Sequence, residues 1–246
     1  MFRNRTFKVL SSLTLLALIF SIVGNSPAHA AEDNITDFVL DTSFNPGTGA
    51  NNSIWDITLQ PDAKILIGGN FNTYNSITRR GIARVNPDGS LDNTFDPGTG
   101  VIGSVVDMIV LPDNKIIISG GFISYNGLPM PGLARLESDG SLDDTFVPDI
   151  GTRNTIYALA LQPDNKIIIA GCFTGSDCAV APNIARLNSD GSTDETFNPG
   201  LGADYIIQTL ALQPDGKILI GGLFDSYNGT PRPGSCQAEP WRLPGH

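Results

Sequence analysis

The chain has 246 residues, of which 15 are basic and 25 acidic, and its formal net charge is −10. An acidic surface of this kind repels phosphate backbones and anionic lipid, so the composition argues against a nucleic-acid partner. The two histidines, His29 and His246, lie within the first 30 residues and at the last position. Catalysis through a histidine base and metal sites built on imidazole therefore lack their usual side chain.

The first predicted element is a secretory signal peptide at residues 1–30. Three basic residues precede an apolar run at 9–23, and Ala28-His29-Ala30 supplies the small residues of a cleavage site. The apolar run is about 15 residues long and falls short of the ~20 that cross a bilayer. The sequence therefore predicts an exported protein, secreted, periplasmic or at the cell surface, without a membrane span.

The rest of the chain is a repeat with a period of 51 residues. A proline recurs at Pro61, Pro112, Pro163 and Pro214. A phenylalanine recurs with the same spacing at Phe71, Phe122, Phe173 and Phe224. Self-similarity at a fixed period near 50 residues is typical of solenoids, propellers and arrays.

Each unit begins with an alternating strand, at residues 55–59 in the first unit, followed by a Pro-Asp-X-Lys turn. The next strand, Lys64 to Gly69, is apolar on both faces, which is typical of a strand buried between layers. A polar loop follows, then a third strand near 81–85, an Asp-Gly hairpin turn and a short fourth strand that ends at Phe95. The pattern therefore predicts four short strands and no helix in each unit.

Four antiparallel strands in one unit form a blade of a β-propeller. Apolar residues that run into a glycine and are followed by an aromatic residue resemble the kelch repeat. The chain resembles more closely the delta-60 repeat family of bacterial exported proteins, whose patterns LQPDGKILIGG-F and IARLNPDGSLD-TF stand nearly complete at Leu212–Gly222 and Ile82–Phe95. The resemblance covers residues 38–234 and implies a propeller-like fold, without a defined biochemical activity.

The repeat units occupy residues 31–234. A partial unit at 38–47 matches the end of the unit that follows it, and further units start near 54, 105, 156 and 207. Propellers often close by letting an N-terminal strand complete the last blade, and this chain opens with a lone fourth strand. We therefore expect an all-β, β-propeller-type array of four-stranded antiparallel blades that is incomplete at its C-terminus.

Residues 235–246 depart from the repeat, which demands Ile-Ala-Arg-Leu-Asn-Pro-Asp-Gly at this point. Permitted codons for Ser235 to Gly245 with the first base of His246, read one base later, spell Val-Ala-Arg-Leu-Asn-Pro-Gly-Gly-Ser-Leu-Asp, so we infer an aberrant tail translated out of frame. The last blade is then expected to hold two strands and an exposed edge that invites edge-to-edge self-association. Sequencing the locus tests the inference, and a shifted frame that does not continue the repeat would overturn it.

Cys172 and Cys178 lie six residues apart in the loop that departs most from its copies in the other units. An exported protein permits a disulfide, and bridging so short a loop contributes on the order of 2 kcal/mol. Two free thiols are the alternative. We predict the disulfide.

The hairpin of each unit resembles a calcium loop, because oxygen-bearing side chains stand at every second residue from Asn86 to Asp92. The glycine, however, falls at the fourth position of this run, and Pro97 stands where a bidentate glutamate belongs. A hairpin turn explains the same residues without a metal. We therefore predict no metal site and no cofactor.

Charged residues recur at two further places in the unit. Arginines face aspartates across the hairpin, as Arg84 with Asp92, Arg135 with Asp143 and Arg186 with Asp194. A ring for an anionic ligand is one interpretation, but equal repetition in every unit favours an ion pair within the blade. Asp56 and Asp107 lie one period apart on the innermost strand and could face a central channel, although Ala158 and Thr209 at the equivalent positions leave only half a ring.

Function can differ between units only where the sequence does. We expect the loop after the strand-end glycine to form a binding face for an unknown protein or glycan, and its residues are Tyr74, Tyr125, Tyr227, Arg79 and Arg80. Packing of the tyrosines is the alternative. The sequence thus predicts an exported, non-enzymatic repeat protein. A carboxylate-dependent polysaccharide- or peptidoglycan-active enzyme that uses Asp56 and Asp107 is the other function we consider.

Overall fold

The computed structural model describes residues 40–151, 155–173, 178 and 183–238. Contacts divide the chain into two units, Met1–Asn45 and Pro46–His246. In the described part of the first unit, the Asp41 carboxylate accepts hydrogen bonds from the Ser43 amide and hydroxyl, at 2.8 and 2.6 Å, and so holds a turn. The proposed signal peptide lies outside the described residues.

The described residues are all-β and contain no helix. In chain order the strands are β1 (Ile54–Leu59), β2 (Ile65–Gly69), β3 (Thr73–Tyr74), β4 (Ile77–Thr78), β5 (Ile82–Val85), β6 (Val101–Ile102), β7 (Val105–Val110), β8 (Ile116–Gly120), β9 (Ser124–Tyr125), β10 (Leu128–Pro129), β11 (Leu133–Leu136), β12 (Thr155–Leu161), β13 (Ile167–Cys172), β14 (Ile184–Leu187), β15 (Ile207–Leu212), β16 (Ile218–Gly222), β17 (Ser226–Tyr227), β18 (Thr230–Pro231) and β19 (Ser235–Ala238).

The long strands form four antiparallel sheets, β1-β2-β5, β7-β8-β11, β12-β13-β14 and β15-β16-β19. The middle strand of each sheet is the apolar run seen in the sequence, and in the first three sheets every residue of it is buried. The first strand of each sheet in chain order, which we call the inner strand, pairs with the middle strand. This pairing has the same one-residue irregularity in all four sheets, for example between Ile54 and Asp56. The four sheets are therefore copies of one another down to their register.

The predicted fourth strand of each unit is reduced to a single β-bridge, Val85 with Leu91 in the first unit and its copies in the next two. The chain turns directly after this bridge. The Asp92 carboxylate accepts a hydrogen bond from the Thr94 amide at 2.9 Å, and the Phe95 amide donates to the Asp92 carbonyl at 3.3 Å. Because Asp92 closes a turn, the segment does not stay extended, and the sheets have three strands each.

The polar loops of the first, second and fourth units contain short strands that the sequence did not predict. They form the hairpins β3-β4 and β17-β18 and the small sheet β10-β9-β6. An asparagine with positive φ follows the tyrosine in each, at 48° for Asn75, 46° for Asn126 and 53° for Asn228. Positive φ at this position closes a tight two-residue turn, so these loops are ordered hairpins.

Adjacent sheets share their apolar cores. One cluster joins Leu66 and Ile82 of the first unit to Met108 and Ile118 of the second. Two further clusters join the second unit to the third and the third to the fourth. Each fully buried Leu or Ile stabilises the fold by roughly 1.5–3 kcal/mol, so every sheet depends on its neighbour for much of its stability.

The expectation of a two-stranded last blade is wrong. Residues Ser235–Ala238 form β19, and this strand pairs with β16 in the register that β5 adopts on β2. A sheet ladder uses backbone groups, which any non-proline sequence supplies. Cys236 occupies the position of Ala83 as a small residue and packs against the third apolar cluster. Trp241 and the rest of the tail lie outside the described residues.

The predicted disulfide is confirmed, with the Cα atoms of Cys172 and Cys178 4.9 Å apart. Cys236 is a free thiol. Across the part of the chain that the structure describes, no helix could span a membrane.

Candidate binding surface and buried carboxylates

A buried ionic corner recurs at the hairpin of the first three units. In the first unit the Arg84 Nε donates to Asp92 Oδ2 at 2.6 Å, and Lys64 Nζ approaches the same oxygen at 2.7 Å. The Thr94 hydroxyl donates to the other carboxylate oxygen at 2.7 Å. The Arg84 guanidinium also lies over the Phe95 ring, 5.0 Å from its centroid. These contacts pair the charges of Arg84 and Asp92 with other groups of the protein.

The corner also ties neighbouring units together. Arg84 Nη1 donates to the Ser138 carbonyl of the second unit at 2.6 Å, and Arg135 makes the same bond to the Ser189 carbonyl of the third. The side chains of Arg84, Arg135 and Arg186 are 7, 11 and 20% exposed. Both observations indicate a structural ion pair, in agreement with the within-blade interpretation.

Hydrogen bonds set the charge state of the corner aspartates. Burial alone would raise the pKa of Asp92, but the hydrogen bonds from Lys64, Thr94 and Arg84 outweigh it and hold the pKa well below its usual range. The same balance lowers the pKa of Asp143 and Asp194. These three carboxylates are therefore ionised at neutral pH.

Asp56 and Asp107 connect the inner strands of successive sheets. Asp107 Oδ2 accepts a hydrogen bond from the Leu159 amide on β12 at 2.6 Å. Thr58 Oγ1 lies 3.0 Å from Asp56 Oδ2 and 3.2 Å from the Met108 carbonyl oxygen on β7. Each aspartate is half-buried and stands where one inner strand passes the next.

The surroundings of these two carboxylates raise their pKa values. Burial raises the pKa of Asp107 to about 6 against the lowering effect of the Leu159 amide, and the negative charge of Asp56 adds to the rise. Burial also raises the pKa of Asp56, while its bond to Thr58 opposes the change. The two carboxylates therefore interact electrostatically, and Asp107 also accepts the bond that joins it to β12.

The tyrosines of the predicted binding face point inward. Tyr74 and Tyr125 are buried, and their hydroxyls donate to the carbonyls of Gly89 and Gly140 at 2.9 and 2.5 Å. Burial raises the pKa of Tyr74 to about 12 and that of Tyr125 further. Tyr227 is half-buried, with its hydroxyl 3.4 Å from the Pro199 carbonyl oxygen. These tyrosines therefore pack inside the protein, which is the alternative to a binding role that the sequence analysis left open.

The arginines of that face lie where the first unit meets the second. Arg80 is exposed, and its carbonyl accepts a hydrogen bond from the Val101 amide at 3.0 Å. Arg79 is half-buried; its Nη1 donates to the Thr78 carbonyl at 2.8 Å, and its buried Nε has no partner among the described residues. The backbone of the exposed Arg80 is therefore placed beside β6.

Close to the Arg80 backbone stand two exposed apolar side chains of the second unit, which we call the repeat-2 ridge. They are Ile102 on β6 and Ile123, with 53 and 65% of their surface exposed. The Ile123 amide donates to the Ile102 carbonyl at 3.0 Å, and β6 pairs with β9. The two residues are thus neighbours at one edge of a small sheet.

In the first and fourth units, the residue equivalent to Ile102 has a side-chain oxygen that accepts hydrogen bonds from two backbone amides, an arrangement that we call the cap. Asn51 Oδ1 accepts bonds from the amides of Asn72 and Thr73 at 2.8 and 3.1 Å. Asp204 Oδ1 accepts from the amides of Asp225 and Ser226 at 2.9 and 3.0 Å. Both caps hold the loop to the short strand.

The second unit has lost the bonds of this cap. The Ser226 hydroxyl donates to Asp204 Oδ2 at 2.9 Å, whereas the equivalent hydroxyl of Ser124 is buried and has no partner among the described residues. An unpaired buried hydroxyl costs roughly 1–3 kcal/mol. The second unit therefore exposes an apolar surface at the expense of local stability.

The repeat itself decides the family. A profile described as Domain of unknown function (DUF5122) beta-propeller matches residues 60–95, 111–146, 162–197 and 213–234. These segments contain the turns, the buried middle strands and the ionic corners described above. The chain belongs to this family. No curated protein matches the chain in sequence.

Three solved structures are similar to parts of this DUF5122 chain. The WD40 β-propeller domain of Doa1 is 18% identical over 70% of this chain, with a TM-score of 0.46, and the chain spans 48% of its length. An extracellular domain of a one-component system from B. thetaiotaomicron is 16% identical over 76% of this chain and 21% of its own, with a TM-score of 0.46. An oxidoreductase (glucose dehydrogenase) from Thermus thermophilus is 16% identical over 78% and 64%, with a TM-score of 0.49.

The sequence of the DUF5122 repeats predicts Arg80 as part of the binding face, but the repeat-2 ridge becomes visible only when the units are compared with one another. The signal was present, because Ile102 and Ile123 stand where the first unit has Asn51 and Asn72. The described residues hold no group of three or more His, Cys, Asp or Glu side chains that could bind a metal.

Proposed function

We propose that this DUF5122 protein is an exported, non-enzymatic binding protein of four-stranded propeller blades, counting the single-bridge segment as the fourth strand. Its binding surface is the repeat-2 ridge together with Arg80. The ridge carries the proposal because Ile102 replaces a stabilising cap and leaves the Ser124 hydroxyl unpaired. A residue that costs stability without a local benefit is typical of a functional site.

The chemistry of the surface favours a protein partner over a glycan. Exposed aliphatic side chains bury well against apolar side chains of another protein, and Arg80 adds a cation in a chain whose net charge is −10. We therefore expect a partner that presents apolar residues beside a carboxylate. Glycans stay the second class of partner to be tested.

A comparison of the parent chain with two variants tests this function. The exported chain and its Ile102→Asp variant are immobilised and exposed to the secreted proteins of the producing cells and to a set of cell-wall polysaccharides. We expect the variant to lose a protein that the parent captures. The matched control is Leu59→Gln, because Leu59 is also exposed but is the last residue of β1 and lies outside the repeat-2 ridge. This variant should retain the captured protein. Equal capture by all three proteins would contradict the proposal.

The alternative enzyme would use Asp56 and Asp107. Their raised pKa values favour it, because a general acid needs a carboxyl group that holds its proton near neutral pH. The bond from the Leu159 amide to Asp107 favours a structural role instead. The variants Asp56→Asn and Asp107→Asn distinguish the two functions. If both variants bind as the parent does and show the same polysaccharide cleavage as the parent, the binding function is supported.

A further inference from the structure

The fourth unit carries a surface that complements the repeat-2 ridge. Besides Leu219 on β16, three large apolar side chains described in this unit are exposed, Leu201, Tyr205 and Leu223, and two acidic residues stand among them, Asp204 and Asp225. We call these five residues the repeat-4 rim. The fourth unit thus combines exposed apolar groups with carboxylates, where the second unit combines them with an arginine.

Backbone bonds hold the repeat-4 rim together. The Leu223 amide donates to the Ile206 carbonyl at 2.9 Å, and the Asp225 amide donates to Asp204 Oδ1 at 2.9 Å. The Ser226 amide and hydroxyl bond to Asp204 and lower its pKa, so that this carboxylate stays ionised at neutral pH. The rim therefore presents its negative charge from an ordered loop.

Asp204 and Ile102 occupy the same position in their units, and so do Asp225 and Ile123. The repeat has thus placed acidic residues at these positions in one unit and aliphatic ones in another. The arginine beside the ridge comes from the first unit, since the Arg80 carbonyl binds the Val101 amide. Arg232 shares the repeat-4 rim, where its amide donates to the Asp225 carbonyl, but the two carboxylates outnumber it.

We propose that the repeat-4 rim of a second copy of this chain occupies the repeat-2 ridge. The apolar side chains of the two surfaces pack together, and Arg80 of one copy faces the carboxylates of Asp204 and Asp225 of the other. The inference rests on the proposed function and names the partner of the same surface.

Charge makes the pairing selective. Two copies that each carry a net charge of −10 repel one another over most of their surfaces. Contact is favoured where a positive group of one copy meets negative groups of the other, and like surfaces are excluded. Ridge against ridge would bring two arginines together, and rim against rim would bring four carboxylates together. The contact therefore joins different surfaces, singly in an open chain of copies or twice about a two-fold axis.

Sedimentation equilibrium of the exported chain tests the inference. We expect the mean mass to rise with protein concentration over about 1–100 μM, the range of a modest interface. Ile102→Asp should weaken the association by about tenfold or more. The same variant should raise Tm by about 4 °C, because it restores the cap that Asp204 provides. The gain in Tm separates lost binding from lost folding.

A charge exchange gives the sharper experiment. Arg80→Asp and Asp225→Arg should each weaken the association, and the two substitutions in one chain should restore it, since the exchanged charges again meet between copies. Leu59→Gln is the control and should associate as the parent does. A double variant as weak as either single variant would overturn the pairing.

The remaining outcomes separate this inference from the proposed function. A parent chain that stays monomeric over the whole concentration range overturns self-association, while loss of a captured protein by Ile102→Asp would still support a binding ridge. Association that persists in Ile102→Asp also overturns the inference, because the contact would then lie elsewhere, such as the outer edge of β19.

Discussion

Two sets of aspartates occur in the same repeat and meet opposite surroundings. Asp92 and its copies at the ionic corner accept bonds from a lysine, an arginine and a threonine, and their pKa values fall. Asp56 and Asp107 on the inner strands lie beside one another without a cation, and their pKa values rise. Both sets hold neighbouring units together, the corners through arginine and the inner strands through the carboxylate itself.

The comparison shows how one residue type stabilises a repeat in two ways. At the corner the ion pair satisfies a buried charge that would otherwise be costly. On the inner strands each carboxylate binds the neighbouring backbone but is partly desolvated, so its charge opposes folding. Stability should therefore respond in opposite directions when protons are added to the two sets.

The largest effect is expected at the corner. Asp143→Ala removes the acceptor of Arg135 and Lys115 and leaves the arginine, whose side chain is 11% exposed, without a counter-charge. Breaking one partner of a buried pair costs about 3–5 kcal/mol. Urea unfolding at pH 7 measures the change.

The control for this substitution lies in the adjoining turn. Asp139 is exposed and accepts bonds from the amide and hydroxyl of Ser141 only locally. Asp139→Ala should cost about 1 kcal/mol or less. Equal losses for Asp139→Ala and Asp143→Ala would show that the corner is not a special source of stability.

The dependence of stability on pH separates the two sets. Asp107 has a pKa of about 6 in the folded protein, against about 3.9 in an unfolded chain. Protonation therefore favours the folded state, and the free energy of unfolding should rise as the pH falls from 7.5 to 5, by about 1.4 kcal/mol from Asp107, because this range ends about one unit below its folded pKa. Below pH 4 the sign reverses, because the corner aspartates keep depressed pKa values only when folded.

Asp107→Asn tests the assignment of this rise. The variant should lose the part of the gain between pH 7.5 and 5 that Asp107 supplies and keep the part that the raised pKa of Asp56 supplies. It should also keep the loss below pH 4, since its corners are unchanged. Chemical unfolding at half-unit pH steps gives both limbs of the curve. A parent protein whose stability falls steadily from pH 7.5 downward would refute the opposition between the two sets.

Much of the fold follows from the period alone, while the site follows from contacts between units. The apolar middle strands, the hairpins and the disulfide were readable from single units. The short strands were missed because Asn75 and its copies close them through positive φ. The fourth strand was predicted too long because the Asp92 carboxylate turns the chain.

The surroundings of Asp107 could not be predicted from its unit. Its partner, Leu159, belongs to the next unit, and its raised pKa comes from burial between sheets and from Asp56 in the preceding unit. The repeat-2 ridge was readable only by aligning the units and asking which of them lacks a cap.

The smallest effect should separate the three corners from one another. Arg84 donates to the Ser138 carbonyl of the next unit. The residue that stands at the same spacing after Arg186 is Pro240, which lies outside the described residues. Arg186 keeps its bonds to Asp194 and Thr196 and is more exposed than Arg84. Replacing either arginine by lysine keeps the charge and removes the planar donor fork. We expect Arg84→Lys to cost about 1 kcal/mol more than Arg186→Lys, which is the net value of one hydrogen bond. Parallel urea titrations resolve this difference, and equal losses would show that the bond between units adds nothing to the corner.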